Sequence, residues 1–167
     1  MRRLLFLIAL GAAGAFIVRS LVVEGIYLAS DSMAPTLPTG RHILANKAAY
    51  FFGAPRRGDV IMFDLPTDPD KGLVKRVIAL GGDTIELRSK RVFVNGAELV
   101  EPYAQYLRPG DILVGDNRAP MTVPDKHVFV LGDNRDVSGD SRDWKTPGGE
   151  PAPFLPLFRI RGRVMRG

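Results

Sequence analysis

The stretch "LVKRVIALGGDTIELRSKRVFVNGAEL", residues 73–99, decides the fold class because it reads as three β-strands separated by tight turns. Asn95-Gly96 near its end is a strong signal for a two-residue hairpin. Helical periodicity is convincing only at the N-terminus, so the sequence predicts a mostly β domain with long loops. Further strands are predicted at 21–28, 41–47, 58–66, 127–133 and 159–165, with a turn at 68–72 and irregular chain over 101–126.

The composition limits the classes of function. The chain has 167 residues, enough for one domain with a sizeable core, and it contains no cysteine, which excludes thiolate catalysis and disulfide bonds. Its formal net charge is +5, but no basic stretch is interleaved with aromatic residues in the way that nucleic-acid binding favours. Several basic residues lie near the two ends of the chain, which favours membrane lipid as a partner and no nucleic acid.

The N-terminus is strongly apolar. Arg2 and Arg3 precede an uncharged run from Leu4 to Val18. At a rise of 1.5 Å per residue this run covers about 22 Å, less than the roughly 30 Å hydrocarbon core of a bilayer. A membrane anchor, a signal peptide cleaved near residues 13–15 and a buried core helix are all compatible with the run; in the first two, the arginines stay cytoplasmic.

A polar segment, "ASDSMAPTLPTG" at 29–40, contains two serines that either cap a turn or supply a nucleophile. A serine nucleophile needs a base, and neither His42 nor His127 lies in a recognisable motif. A lysine serves instead where apolar surroundings lower its pKa, and Lys75 in "GLVKRVIAL" has such neighbours, although a half-buried strand equally permits it to point outward. The lysines that lie among turn residues lack such apolar neighbours and are not candidates for the base: Lys71, Lys90, Lys126 and Lys145.

A third polar segment, "VFVLGDNRDVSGDSRDW" at 128–144, runs from a strand into a loop dense in Gly, Asp, Asn, Ser and Arg. Its charged side chains can form a hydrogen-bonded network that stiffens the loop and fixes Ser138 in place. The members of this network would be Asp133, Arg135, Asp136, Asp140 and Arg142. A second "GDNR" at 115–118 lacks the rest of the pattern and is interpreted as a turn.

Together these segments resemble the bacterial type I signal peptidase family, which uses a Ser–Lys dyad. The family's Ser-x-Ser-Met-x-Pro-Thr-Leu segment is matched at 30–37, and its Lys-Arg-Val with a following Gly-Asp turn at 74–83. The pattern Gly-Asp-Asn-Arg-Asp-x-Ser-x-Asp-Ser-Arg is matched at 132–142, and "RRGDVIMFDLP" at 56–66 is similar to the family's Arg-Gly-Asp strand. Four matches in the right order cover nearly the whole chain from about residue 19, which makes the resemblance specific.

The resemblance implies a role for each matched residue. Ser32 corresponds to the nucleophile and Lys75 to the general base. Ser30 corresponds to the residue whose hydroxyl completes the oxyanion hole with the Ser32 N–H, and Ser138 to the serine that hydrogen-bonds and orients the lysine. Met33 corresponds to a residue that lines the substrate cleft. The positions that support the lysine are Arg76, Asp133, Asp140 and Arg142.

The resemblance also implies an architecture and a reaction. The expected fold is a coiled antiparallel β-sheet peptidase domain with long loops over residues 21–167, preceded by one transmembrane helix within residues 1–20. The expected protein is a single-pass serine endopeptidase of the bacterial cytoplasmic membrane with its catalytic domain on the extracytoplasmic side. Its partners are exported preproteins with small residues before the cleavage site, and it needs no metal or cofactor.

The sequence departs from the family pattern at several places and leaves alternatives open. Ala29 and Gly81 stand where the family commonly has proline, and Asp31 stands where it often has glycine; none of these changes removes a catalytic group. The alternatives are a specialised relative that matures pilin or conjugation proteins, a LexA-like self-cleaving DNA-binding repressor, and a non-catalytic membrane-tethered β-module.

Overall fold

The computed structural model describes residues 2–165, so Met1 of the predicted anchor and residues 166–167 of the predicted β-domain lie outside the described residues. The helix α1 spans Arg2–Val22, and short 3₁₀ helices span Asp31–Met33, Lys47–Tyr50 and Leu157–Arg159. The strands are β1 Val23–Tyr27, β2 His42–Asn46, β3 Val60–Leu65, β4 Asp68–Leu80, β5 Thr84–Arg88, β6 Arg91–Val94, β7 Ala97–Glu98, β8 Arg118–Thr122, β9 His127–Leu131, β10 Leu155–Pro156 and β11 Ile160–Val164.

The strands form two antiparallel sheets, which confirms the mostly β fold. The larger sheet has the order β1-β2-β11-β3-β4-β9-β10, and the smaller has the order β7-β6-β5-β8. β4 therefore lies between β3 and β9, with Lys75 opposite Ile61 and Arg76 opposite both Val60 and Leu131. This interior position buries residues that alternation alone left free to face solvent.

The hairpin at Asn95-Gly96 is confirmed. The two residues have φ values of 54° and 80°, the pair of left-handed conformations that a type I′ turn requires. The turn joins β6 to β7, and Val94 pairs with Ala97.

Three boundary predictions are wrong. Residues 21–22 continue α1 and do not begin a strand. Residues 68–72 belong to β4, where a register shift after Asp64 lets the strand continue past the predicted turn. Residues 118–122 form β8, which pairs with β5 although Pro120 and weak alternation hide it in the sequence. β8 is an edge strand of the smaller sheet, the position at which proline is tolerated.

The apolar core joins the two sheets. One buried cluster combines Ile78 and Phe129 of the larger sheet with Ile85, Leu87 and Val92 of the smaller one. Two further clusters lie under the 29–40 segment and around Phe63, Trp144 and Leu155. The catalytic segments of the family pattern therefore rest on a packed scaffold.

Helix α1 exposes its apolar side chains at residues 4–10 and at Phe16, which rules out the buried core helix. Leu5, Leu7 and Leu10 are each at least 60% exposed, and Phe16 is 72% exposed. Of the helices within residues 2–165, none combines the length and apolarity needed to cross a membrane.

Candidate active site

The structure brings Ser32 and Lys75 into direct contact across 43 positions of sequence. Ser32 lies in the 3₁₀ helix Asp31–Met33, and Lys75 extends from the middle of β4. The Lys75 Nζ donates a hydrogen bond of 2.7 Å to the Ser32 Oγ. The side chains are 9% and 2% exposed, so this contact is made away from bulk water.

Burial lowers the pKa of Lys75 from 10.5 to about 8. Desolvation is the main cause, because an ammonium loses more hydration energy than a neutral amine. Asp140 and Asp133 raise the pKa, whereas Arg142 and Lys71 lower it. The surrounding carboxylates are thus largely balanced by cations, and the lysine keeps the lowered pKa that a general base needs.

Ser30 lies beside Ser32, and its Oγ donates to the Ser32 Oγ over 3.2 Å. Met33 does not line the cleft as expected. It is 1% exposed and packs in the core with Leu28, Val60 and Met62. The short helix turns Met33 inward while it presents Ser32 to the cleft, and the Met33 side chain thereby anchors the helix.

Ser138 is buried, but its predicted hydrogen bond to Lys75 is not formed in this structure. Among the described residues, the Ser138 Oγ has no hydrogen-bond partner. The hydroxyl instead packs against Gly132, where an added Cβ would lie 2.2 Å from the Ser138 Oγ and 2.4 Å from the Ser32 carbonyl oxygen. The backbone N–H of Asn134 donates to that same carbonyl over 3.1 Å, so the loop is hydrogen-bonded to Ser32 through its backbone.

Arg76 and Asp133 form a buried bidentate ion pair directly behind the dyad. The Arg76 Nε and Nη2 donate to the two carboxylate oxygens over 2.8 and 2.5 Å. The Arg76 Nη1 donates to the Gly58 carbonyl, and its guanidinium stacks 3.9 Å from the centre of the Tyr103 ring. The pair fixes the end of β9 to β4.

Asp140 and Arg142 form a second buried pair within the loop. The Arg142 Nε and Nη2 donate to the Asp140 carboxylate over 2.9 and 3.0 Å. The same carboxylate accepts the Gly132 N–H over 3.0 Å, while the Arg142 Nη2 also donates to the Arg135 carbonyl. The Asp140 carboxylate therefore links Gly132 at the start of the loop to Arg142 at its end.

Sequence reasoning placed Arg135 and Asp136 in this network but missed Lys90, Asp116 and Glu101. Lys90 is 8% exposed and contacts Asp116 and Asp136, and Arg135 pairs with Glu101 over 2.5 Å. Burial alone would lower the pKa of Lys90. The hydrogen bonds and charges of the two carboxylates raise it by more than burial lowers it, so the pKa lies above its ordinary value. The repeated "GDNR" at 115–118 was the available signal, because its Asp116 lies in the core of the network.

The Ser32–Lys75 pair opens into a cleft of about 750 Å³. Its apolar wall is formed by Leu65, Leu73, Leu107, Val137 and Trp144. Lys71, Gln105 and Asn134 add polar groups at its edge. In the described part of the chain, His, Asp and Glu side chains form no group of three or more suited to a metal ion.

Comparison with known proteins agrees with this geometry. The family model described as signal peptidase, peptidase S26, matches residues 1–166. The chain belongs to this signal peptidase family. A signal peptidase I from Leptolyngbya laminosa is 39% identical over 166 residues, covering 95% of this chain and 74% of the relative. A probable signal peptidase I-1 from Synechocystis sp. is 38% identical over 158 residues, covering 90% and 74%.

A solved member of the signal peptidase family has a similar fold. The crystal structure of a signal peptidase I from Enterococcus faecalis V583 superposes with a TM-score of 0.52 at 29% identity. The match covers 67% of this chain and 97% of that one. The resemblance inferred from the motifs is therefore confirmed.

Proposed function

We propose that this protein is a serine endopeptidase that removes N-terminal signal peptides from exported preproteins, with Ser32 as nucleophile and Lys75 as general base. The 2.7 Å hydrogen bond between the Lys75 Nζ and the Ser32 Oγ, at the base of an apolar cleft, carries the proposal. Membership in the signal peptidase family and the named relatives support the same reaction.

In the first step the neutral Lys75 amine takes the hydroxyl proton of Ser32. The Ser32 Oγ attacks the carbonyl carbon of the scissile peptide bond and forms a tetrahedral intermediate. The Lys75 ammonium then gives its proton to the leaving amine, and the C–N bond breaks to leave an acyl-enzyme. Lys75, neutral again, activates the water that hydrolyses the ester and restores Ser32.

The developing oxyanion is met by the Ser30 hydroxyl and the Ser32 backbone N–H. The 3.2 Å hydrogen bond from the Ser30 hydroxyl to the Ser32 Oγ supports this role. Loss of one such donor lowers the rate about 100- to 1000-fold in other hydrolases. The Ser138 hydroxyl, which makes no hydrogen bond within the described residues, accepts one from the Lys75 ammonium after proton transfer.

The cleft favours an extended substrate with small apolar residues. Leu73 and Trp144 belong to the apolar wall of the cleft that holds the dyad, and this wall is expected to limit the size of the side chains next to the scissile bond. An extended preprotein segment added alongside a strand would obtain main-chain hydrogen bonds, and shallow apolar pockets would select small residues before the cut.

Helix α1 attaches the catalytic domain to the bacterial cytoplasmic membrane, with residues 21–167 on the extracytoplasmic side. The exposed apolar side chains of α1 support this attachment, and Arg2 and Arg3 favour a cytoplasmic N-terminus. Apolar side chains exposed in this way are more stable in contact with lipid than with water, because burial removes apolar surface from water. The expected arrangement is a single pass followed directly by β1.

The function is tested by cleavage of a model preprotein in detergent, with the product N-terminus sequenced. Ser32→Ala and Lys75→Ala should each abolish cleavage, because one removes the attacking oxygen and the other removes the base. Lys145→Ala, a change at an exposed lysine, is the matched control and should cleave like the wild type. Substantial cleavage by either dyad variant would overturn the proposal.

A further inference from the structure

Lys90 is a buried cation that the proposed mechanism does not use. It lies in the turn between β5 and β6 with a φ of 71°, a left-handed conformation that is uncommon for a residue with a side chain. Such a conformation persists where the surroundings strongly favour it. The side chain leaves the smaller sheet and is 8% exposed, because it enters the catalytic loop, defined here as residues 132–142.

Two carboxylates hold the Lys90 ammonium. Its Nζ donates to the Asp136 Oδ1 over 2.5 Å and lies 3.3 Å from the Asp116 Oδ2. The backbone is held as well, since the Lys90 N–H donates to the Asp116 carbonyl over 3.2 Å and the Tyr106 hydroxyl donates to the Lys90 carbonyl over 2.8 Å. The Asp136 Oδ2 accepts the Arg108 N–H over 2.6 Å.

The contacts continue from Lys90 to the groups around the dyad. The Asp116 Oδ1 lies 3.3 Å from the Arg142 Nη1, so Asp116 is shared between Lys90 and Arg142. Arg142 in turn pairs with Asp140, whose carboxylate accepts the Gly132 N–H. Gly132 packs against the Ser32 carbonyl, and Asp140 is the strongest of the charges acting on Lys75.

We propose that Lys90 is a positioning residue for the Ser32–Lys75 pair: by neutralising Asp116 and Asp136 it keeps Arg142 on Asp140, and so holds both the shape and the charge balance of the catalytic loop. The proposal rests on the proposed function of the dyad. It assigns the smaller sheet a role in the reaction although that sheet contributes no group to the cleft wall described above.

The direction of the expected effect follows from the charges. Without the Lys90 ammonium, Asp116 is left buried with Arg142 as its cation, and Arg142 shifts from Asp140 towards Asp116. Asp140 is then less neutralised. The charged groups that act on Lys75 are Asp140, Asp133, Arg142 and Lys71, and a less neutralised Asp140 favours the ammonium form, so the pKa of Lys75 rises.

The test measures the pH dependence of kcat/KM for the full chain in detergent. Lys90→Met removes the ammonium at similar volume, and the acid limb of its profile should move to higher pH. A shift of one unit lowers kcat/KM about tenfold on that limb. Lys90→Arg should restore the wild-type profile because it keeps the cation. Lys126→Met is the matched control, since Lys126 is exposed and also has a positive φ, of 58°.

A double variant isolates the path through Asp116. Lys90→Met combined with Asp116→Asn removes the carboxylate that would draw Arg142 away from Asp140, so Arg142 stays on Asp140 and the acid limb should return towards the wild-type pH. It also carries the test if Lys90→Met alone fails to fold. A folded Lys90→Met with the wild-type profile, or a double variant with a fully shifted one, would overturn the proposal. Failure of the proposed function is read separately, from cleavage by Ser32→Ala.

Discussion

Two buried lysines behave differently in this protein because of their partners. Lys75 is 2% exposed and contacts a neutral hydroxyl, whereas Lys90 is 8% exposed and contacts two carboxylates. Desolvation lowers the pKa of both, but only at Lys90 do direct ion pairs outweigh it. Burial therefore selects candidates for a neutral lysine base, and the identity of the contacting group decides which candidate can serve.

As the proposed general base, Lys75 should set, through its pKa, the pH at which cleavage begins. Because the amine acts only when neutral, kcat/KM for a model preprotein should rise with pH and reach half its maximum near the Lys75 pKa of about 8. Steady-state cleavage across the neutral to alkaline range measures this limb. A profile that is flat through this range, or a half-maximum at the ordinary lysine value of 10.5, would contradict it.

The same lysine should destabilise the folded protein. Its pKa is about 8 when folded and near 10.5 when unfolded, so the penalty for burying the ammonium is full below pH 8 and is lost as pH rises through 10.5. At about 1.4 kcal/mol per unit, the shift from 10.5 to about 8 means that Lys75→Met should raise the free energy of unfolding at neutral pH by about 3 kcal/mol. Denaturant titrations near neutral pH and near the upper pKa compare the variants.

Lys126→Met is the control for that measurement, because the Lys126 side chain is exposed. The gain for Lys75→Met should shrink at the higher pH, while the control should show little change at either. An equal gain at both pH values would indicate better packing as its cause and not relief of a buried charge.

At the scale of elements, the site depends on how the end of β9 meets the 29–40 segment. The loop that follows β9 is held on one side by the Asn134 N–H on the Ser32 carbonyl, and on the other by Gln105, whose backbone bonds to Asp133 and Arg135. The Arg76–Asp133 ion pair connects the loop to β4. Backbone hydrogen bonds and the Arg76–Asp133 ion pair together fix the loop to the sheet and to the 29–40 segment.

Gly132 should tolerate no side chain. In Gly132→Ala the new Cβ would lie 2.4 Å from the Ser32 carbonyl oxygen and 2.5 Å from the Ser138 Cβ, so the loop or the nucleophile has to move. A shift of about 1 Å at reacting atoms can lower the rate about 100-fold. We therefore expect cleavage to fall at least that far, together with a lower Tm.

Gly148→Ala is the matched control for Gly132→Ala. Its added Cβ would make one ordinary contact, 3.7 Å from the Thr146 hydroxyl, and Gly148 is exposed. Cleavage kinetics and thermal unfolding of both variants separate a clash at the nucleophile from a general effect of losing a glycine. Wild-type kinetics in Gly132→Ala would show that the loop adapts.

At the scale of the whole molecule, the sequence predicted best what depends on local patterns. The antiparallel strands, the Asn95-Gly96 hairpin and the meeting of Ser32 with Lys75 followed from alternation, turn chemistry and family motifs. β8 was missed because its pairing with β5, and not its own residues, makes it a strand. Met33 was misplaced because the direction of its side chain depends on a single turn of 3₁₀ helix.

The buried pairing of Lys90 with Asp116 lay beyond sequence reasoning for a related reason. Lys90 and Asp116 are 26 positions apart and belong to turns that look solvent-exposed in the sequence. Only the packing of the smaller sheet against the catalytic loop buries them together. Charged residues in turns carry no local signal of burial, so such a network becomes visible only in the folded molecule.

The exposed apolar surface of α1 leads to a prediction about membrane attachment. In Leu7→Arg with Leu10→Arg, two charges replace side chains that are 62% and 60% exposed. Each charge placed in hydrocarbon costs about 3 kcal/mol, so flotation with anionic lipid vesicles should fall at least about 100-fold.

Val114→Arg is the control: it is the same kind of change at an 89% exposed residue outside α1, and this variant should float like the wild type. Cleavage of a detergent-solubilised substrate should be unchanged in both variants, because neither site touches the dyad. Undiminished flotation of the α1 variant would assign membrane contact to another surface, where Phe51, Phe52 and Phe158 are the large apolar side chains most exposed near β11.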